Sequence, residues 1–121
     1  MKNNPKIVIT VGDEAGVGPE IILKALASKE IPKKINFLIV GNKKNLISKY
    51  LFLRSLGIEN IVDPNQLEIE DLKINVTNVK EPSNDTGNAS FLYLKHAIEI
   101  VKKLPNSALV TSPICKKLWN S

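Results

Sequence analysis

Residues 10–20 read TVGDEAGVGPE and concentrate more chemically useful groups than any other stretch of the chain. Gly12, Gly16 and Gly18 let the backbone turn sharply and let it approach a ligand closely. Asp13 and Glu14 stand side by side between them. Adjacent carboxylates can hold a metal ion or act as an acid and a base. They can equally favour the start of a following helix by their charge, and spacing leaves both roles open. The stretch fails the P-loop fingerprint, because Gly18 is followed by Pro19-Glu20 and no lysine stands where it would reach a phosphate. It fails the dinucleotide fingerprint too. Gly16-Val17-Gly18 gives the first half, but Ile21 occupies the place of the third glycine.

Other candidates are sparser. His96 is the single histidine and Cys115 the single cysteine, and one of each does not make a metal site. His96 lies beside Lys95 and Glu99 on the polar side of a helical pattern, which reads as a solvated surface position. Cys115 reads as a small core or loop residue. Thr111 ends an apolar run, and Lys116 and Lys117 follow it, where they either hold an anion or are simply solvated.

The elements that must position these groups are legible as an alternation of short apolar runs and amphipathic segments. KIVITV (6–11) and INFLIV (35–40) read as buried strands, each ended by a glycine. SALVT (107–111) reads as another buried strand. IENIV (58–62) fits a short strand, and residues 67–79 a half-exposed strand or hairpin. Helical spacing appears from Pro19 through Ile21, Ile22, Ala25 and Leu26, and again over 43–56, with Gly57 as the stop. After a polar loop at 81–88, a third helix carries an apolar stripe of Phe91, Leu94, Ala97/Ile98, Val101 and Leu104, ended by Pro105. Apolar strands alternating with amphipathic helices imply an α/β fold of βαβ units, with a mostly parallel sheet covered on both faces. Loops that follow parallel strands lie at the carboxyl edge of the sheet, where such folds bind ligands.

Composition narrows the function classes. With 121 residues the chain suits one domain, 1–121. The net charge of +5 is spread over scattered lysines with a single arginine, Arg54, and aromatics are only 5%. That is a poor platform for nucleic acid. No apolar run approaches the roughly 20 residues that span a bilayer. The N-terminus does not read as a signal peptide, and one cysteine allows no internal disulfide, so a cytoplasmic location is expected. Residues 114–119, ICKKLW, look like the first turn of a helix, which leads to the expectation of an incomplete domain.

Three stretches together resemble one family. TVGDEAGVGPEI is similar to the TPGDPAGIGPEI-type signature that opens the 4-hydroxythreonine-4-phosphate dehydrogenases, the PdxA family of vitamin B6 biosynthesis. Gly12, Asp13, Ala15, Gly16, Gly18, Pro19 and Glu20 match it. PSNDTGNASFLYLKHAIEIV resembles the family's Ser-x-x-x-Gly-x-Ala segment and long helix, and ALVTSPICKKLW its ALVTxPxxK strand and turn. Val11 and Glu14 replace prolines of the signature, and Cys115 stands where the family tends to have His or Asn.

The resemblance implies a three-layer α/β/α fold like that of isocitrate and isopropylmalate dehydrogenases, here incomplete. It implies NAD-dependent oxidation and decarboxylation of 4-phosphooxy-threonine by a cytoplasmic homodimer that uses a divalent metal, with no nucleic-acid or membrane partner. The family's catalytic segment and metal-binding histidines lie beyond Ser121, so this chain carries no catalytic or metal residue by that correspondence. On the same resemblance Gly12, Asp13, Gly16, Gly18, Thr111 and Lys116 line the substrate or cofactor cleft. Neither NAD nor metal is expected to bind tightly to the 121-residue chain alone, which is expected to be inactive and either marginally stable or self-associating. The alternative is a truncated, non-catalytic α/β module that binds an anion or a protein partner.

Overall fold

The computed structural model describes residues 4–74 and 84–112. Four strands, β1 (Lys6–Thr10), β2 (Asn36–Gly41), β3 (Glu68–Asp71) and β4 (Ser107–Thr111), form one sheet in the order β3-β2-β1-β4. Every neighbouring pair is parallel. The register sets Thr10 opposite both Val40 and Thr111, so three carboxyl ends finish at one level. Val8, Ile39 and Val40 are fully buried at the centre.

Three helices connect the strands: α1 (Gly18–Ala25), α2 (Lys43–Ser55) and α3 (Asn84–Lys103). The path β1 to β2 to β3 runs one way across the sheet, and the return to β4 passes β1 to its other side. Right-handed crossovers then place α1 and α2 on one face and α3 on the other. Consistent with this, α1 packs on α2, while α3 lies across β1, β2 and β4. The α/β class and parallel sheet expected from the alternation are found.

Local chemistry explains the helix ends. Pro19 occupies the first turn of α1, and Glu20 there pairs with Lys24 one turn on at 2.9 Å. Asn42 caps α2, its side chain accepting from the Asn45 N–H at 3.1 Å. Gly57, at φ +85°, stops α2 as expected, with its N–H donating to the Arg54 carbonyl.

Several sequence expectations are corrected. Residues 58–62 form no strand. Their Val62 N–H donates to the Leu23 carbonyl at the end of α1, and Asp63-Pro64 then opens a single 3-10 turn at Pro64–Gln66. The strand expected within 67–79 is the four-residue β3. Residues 72–74 are not part of the strand, although the Leu72 N–H still donates to the Gly41 carbonyl at 3.1 Å, and 75–79 lie outside the described residues. The polar stretch 81–88 is helical from Asn84 onward. β4 is less buried than its apolar sequence suggests, with Val110 46% exposed, because it pairs with β1 alone among the described strands. The buried face of α3 meets the apolar stripe only in part: Ala97 is buried and Val101 packs against the core, but the face is otherwise Thr86, Ala89, Ser90 and Tyr93, while Phe91, Leu92 and Ile98 are exposed. Small residues and hydroxyls face inward there because α3 must approach the polar glycine loop as well as the sheet. Counting apolar residues alone rotates the helix wrongly. In α1 likewise Ile21 is exposed, and Ile22 and Leu23 are buried.

Candidate functional site

The loop from Val11 to Val17 leaves the carboxyl end of β1 between β2 and β4. β1 connects forward to β2 on one side, and β4 arrives on the other from the opposite layer. The β1/β4 boundary is therefore a topological switch point, where open α/β sheets form their ligand crevice. Of the sequence candidates, Gly12, Asp13, Gly16, Gly18 and Thr111 all stand at this edge. Lys116, with Cys115, lies outside the described residues.

Two glycines are demanded by geometry. Gly12 turns the chain out of β1 at φ +77°. At Gly18 a Cβ would sit 2.4 Å from the Val11 carbonyl oxygen and 2.9 Å from the Ser112 Cβ. Gly18 is thus the closest approach of the loop to the end of β4, and Ser112 N–H donates to the Thr10 carbonyl at 3.3 Å beside it. Thr111 is exposed at the same edge.

The two carboxylates of the loop are buried, at 3% and 2% exposure. Asp13 bonds within the loop and once to α3. Its Oδ1 accepts from the Ala15 N–H at 2.9 Å, its carbonyl accepts from the Gly16 N–H at 2.9 Å, and its Oδ2 accepts from the Thr86 hydroxyl of α3 at 3.2 Å. Glu14 reaches further. Its Oε1 accepts from the Tyr93 hydroxyl on α3 and its Oε2 from the Asn45 amide on α2. Neither acid caps α1, whose N-cap Val17 has no side-chain cap bond. Burial pushes the Glu14 carboxyl above its ordinary value, the bonds from Tyr93 and Asn45 pull it back, and the charges of Asp13 and Asp71 add to the rise. Burial and then the Glu14 charge push the Tyr93 hydroxyl up, which keeps it a donor.

Tyr93, Asn45 and Thr86 were missed from sequence. The signal was the spacing of Thr86, Ser90, Tyr93 and Ala97 on one face of α3, a helical stripe of hydroxyls and small residues. Between the loop and α2 lies a cavity of about 430 Å³, walled by Val11, Pro19, Leu46 and Phe52, with Glu14, Asn42, Asn45, Ser48 and Lys49 as polar groups. That is within the size of small-molecule pockets. His96 stays on the surface, its Nε2 3.7 Å from Glu70 Oε2. Among the described residues no three His, Cys, Asp or Glu side chains gather as a metal site. Among them, too, no helix is long and apolar enough to cross a membrane.

Against known proteins, the family model described as pyridoxal phosphate biosynthetic protein PdxA matches residues 33–121. A 4-hydroxythreonine-4-phosphate dehydrogenase of Synechococcus sp. (strain JA-3-3Ab) is 36% identical over 120 residues, covering 96% of this chain and 34% of that protein. A Clostridium botulinum (strain Hall) protein, provisionally named D-threonate 4-phosphate dehydrogenase, is 31% identical over 133 residues, covering 97% of this chain and 38% of its own length. The crystal structure of a 4-hydroxythreonine-4-phosphate dehydrogenase from Burkholderia phymatum superposes with a TM-score of 0.77 at 25% identity, over 96% of this chain and 38% of that one. The chain spans about a third of the length of the curated relatives it matches.

Proposed function

The chain belongs to the PdxA family, and on that premise we propose that residues 1–121 are one α/β unit forming the N-terminal part of an NAD-dependent dehydrogenase. Its substrate is a phosphorylated hydroxy acid of the 4-phosphooxy-threonine type, oxidised at a secondary alcohol and then decarboxylated, in the cytoplasm and as a homodimer. One observation carries the reading. The glycine loop and the end of β4 converge, through Gly18 and Ser112, at the switch point of a parallel sheet.

The residues described here form a wall of the cleft. Gly12 and Gly18 bring the backbone to the sheet edge without side chains in the way. Thr111 offers a hydroxyl at the next strand end. Asp13 bonds the Ala15 N–H and the Thr86 hydroxyl, so it shapes the loop that lines the cleft. NAD, when bound, supplies the hydride acceptor, and a divalent metal the polarisation of the developing carbonyl. The described residues hold no group of ligands that fits such a metal, so no step is assigned to it here.

The test joins residues 1–121 to the remaining portion of the Synechococcus relative. Reduction of NAD that depends on 4-phosphooxy-threonine is expected from the joined protein, and none from the 121-residue chain alone. A joined protein that melts cooperatively yet turns over no substrate overturns the reading.

A further inference from the structure

The loop that walls the cleft has few anchors of its own. Gly12 turns its backbone at φ +77°, and its last residue, Val17, is the N-cap of α1 without a side-chain cap bond. Among the described residues, apart from the Asp13–Thr86 bond, the side-chain bonds that tie it to other elements end on Glu14. That carboxylate is 2% exposed at the sheet edge and is bonded from both sides, by Asn45 of the α1/α2 layer and by Tyr93 of the α3 layer.

We propose that Glu14 is the positioning residue of the glycine loop, a carboxylate clasp between the two helical layers that holds Gly12 to Gly18 against the end of β4. This rests on the reading of the loop as a cleft wall, but its test needs no turnover, so the two fail separately. A clasp of this kind does what a rigid ring does at a loop position, with one difference: it works through hydrogen bonds and carries a titrating group. The ionisable groups that act on it are Asp13 in the loop, Asp71 at the end of β3 and Tyr93 on α3, and Lys49 of α2 lines the cavity it shares. Burial raises its proton affinity, so the clasp titrates at higher pH than an ordinary surface glutamate does.

Amide hydrogen exchange on the 121-residue chain tests it. The reporters are Ala15 and Gly16, whose N–H groups both bond to Asp13 inside the loop, with Val8 and Ile39 as reporters of the core. In Glu14→Ala and in Tyr93→Phe, exchange at Ala15 and Gly16 is expected to rise by about tenfold or more while the core amides hold. Glu14→Gln, which keeps an acceptor for Tyr93 but not one for Asn45 on the same oxygen pair, is expected to fall between. It should also lack the pH dependence of loop protection expected of the wild type. Unchanged loop exchange in the alanine variant overturns the proposal. So does a rise shared equally by loop and core, which would make Glu14 a general stabiliser. If Glu14→Ala does not fold, Tyr93→Phe, which keeps the ring in place, decides by the same criterion.

Discussion

Replacing Gly18 with alanine probes the contact on which the cleft depends. The new methyl carbon would meet the Val11 carbonyl oxygen at 2.4 Å and the Ser112 Cβ at 2.9 Å, both far inside ordinary contact. Neither obstacle can retreat by a rotamer change: one is backbone and the other is a Cβ fixed to backbone. Overpacking of this kind costs about 1–3 kcal/mol, and Gly18, the first residue of α1, gains little from alanine's preference for helix interiors. Gly41 gives the contrast. A methyl there meets Val11 Cγ2 at 2.3 Å, a side-chain atom that Val11→Ala deletes. Urea unfolding at neutral pH, with linear extrapolation, should show Gly18→Ala destabilised by about 1–2 kcal/mol with Val11→Ala giving no relief. Gly41→Ala combined with Val11→Ala should cost about 1 kcal/mol less than the sum of the single changes. Gly18→Ala within about 0.5 kcal/mol of wild type at an unchanged m value would refute the close-approach account.

Three more outcomes are expected. The folded pKa of Glu14 is raised, so the native state holds its proton more tightly than the unfolded chain does. The stability this gives is present below the unfolded value and lost as pH rises through the folded one. Stability of Glu14→Gln minus wild type should therefore climb with pH across that window, and a flat difference in pH-resolved urea melts would sink the assignment. Asn42→Ala removes the α2 cap and the 2.7 Å bond from its amide to the Ile74 carbonyl, and should cost about 1–2 kcal/mol in thermal or urea unfolding. Lys6→Met breaks the 2.9 Å pair with Glu68, whose side chain is 59% exposed, and should move stability by less than about 1 kcal/mol in the same melts.

The sequence carried the architecture better than the faces. Hydrophobic runs at 6–11 and 35–40 marked β1 and β2, and Pro19 and Gly57 marked helix ends, because strand burial and backbone constraints act locally. The sheet-edge location of Gly12, Gly18 and Thr111 followed from strand-then-loop logic alone. What did not follow was anything that depends on partners far apart in the chain. IENIV has strand composition, yet Val62 bonds to Leu23 instead. Phe91 looks like core and is 46% exposed, while Thr86 and Ser90 look like surface and are fully buried. Glu14 looked like half of a carboxylate pair, and its bonds to Asn45 and Tyr93 span 31 and 79 residues. No periodicity within a helix reports a partner at that range.

The sheet order also bears on how the polypeptide emerges from the ribosome. β1 is made before the other described strands and ends in the interior of the sheet, flanked by β2 and by β4, the last strand described. Lys6 must find Ser107, nearly the whole chain later. Until then the nascent β1 pairs on one side only and leaves the other edge of its backbone open. Long-range parallel pairing is slow and prone to association. Synthesis of this chain therefore has an interval, from the completion of β2 to the arrival of β4, in which an apolar strand awaits its neighbour. That is the window in which a chaperone that binds extended apolar segments would find it.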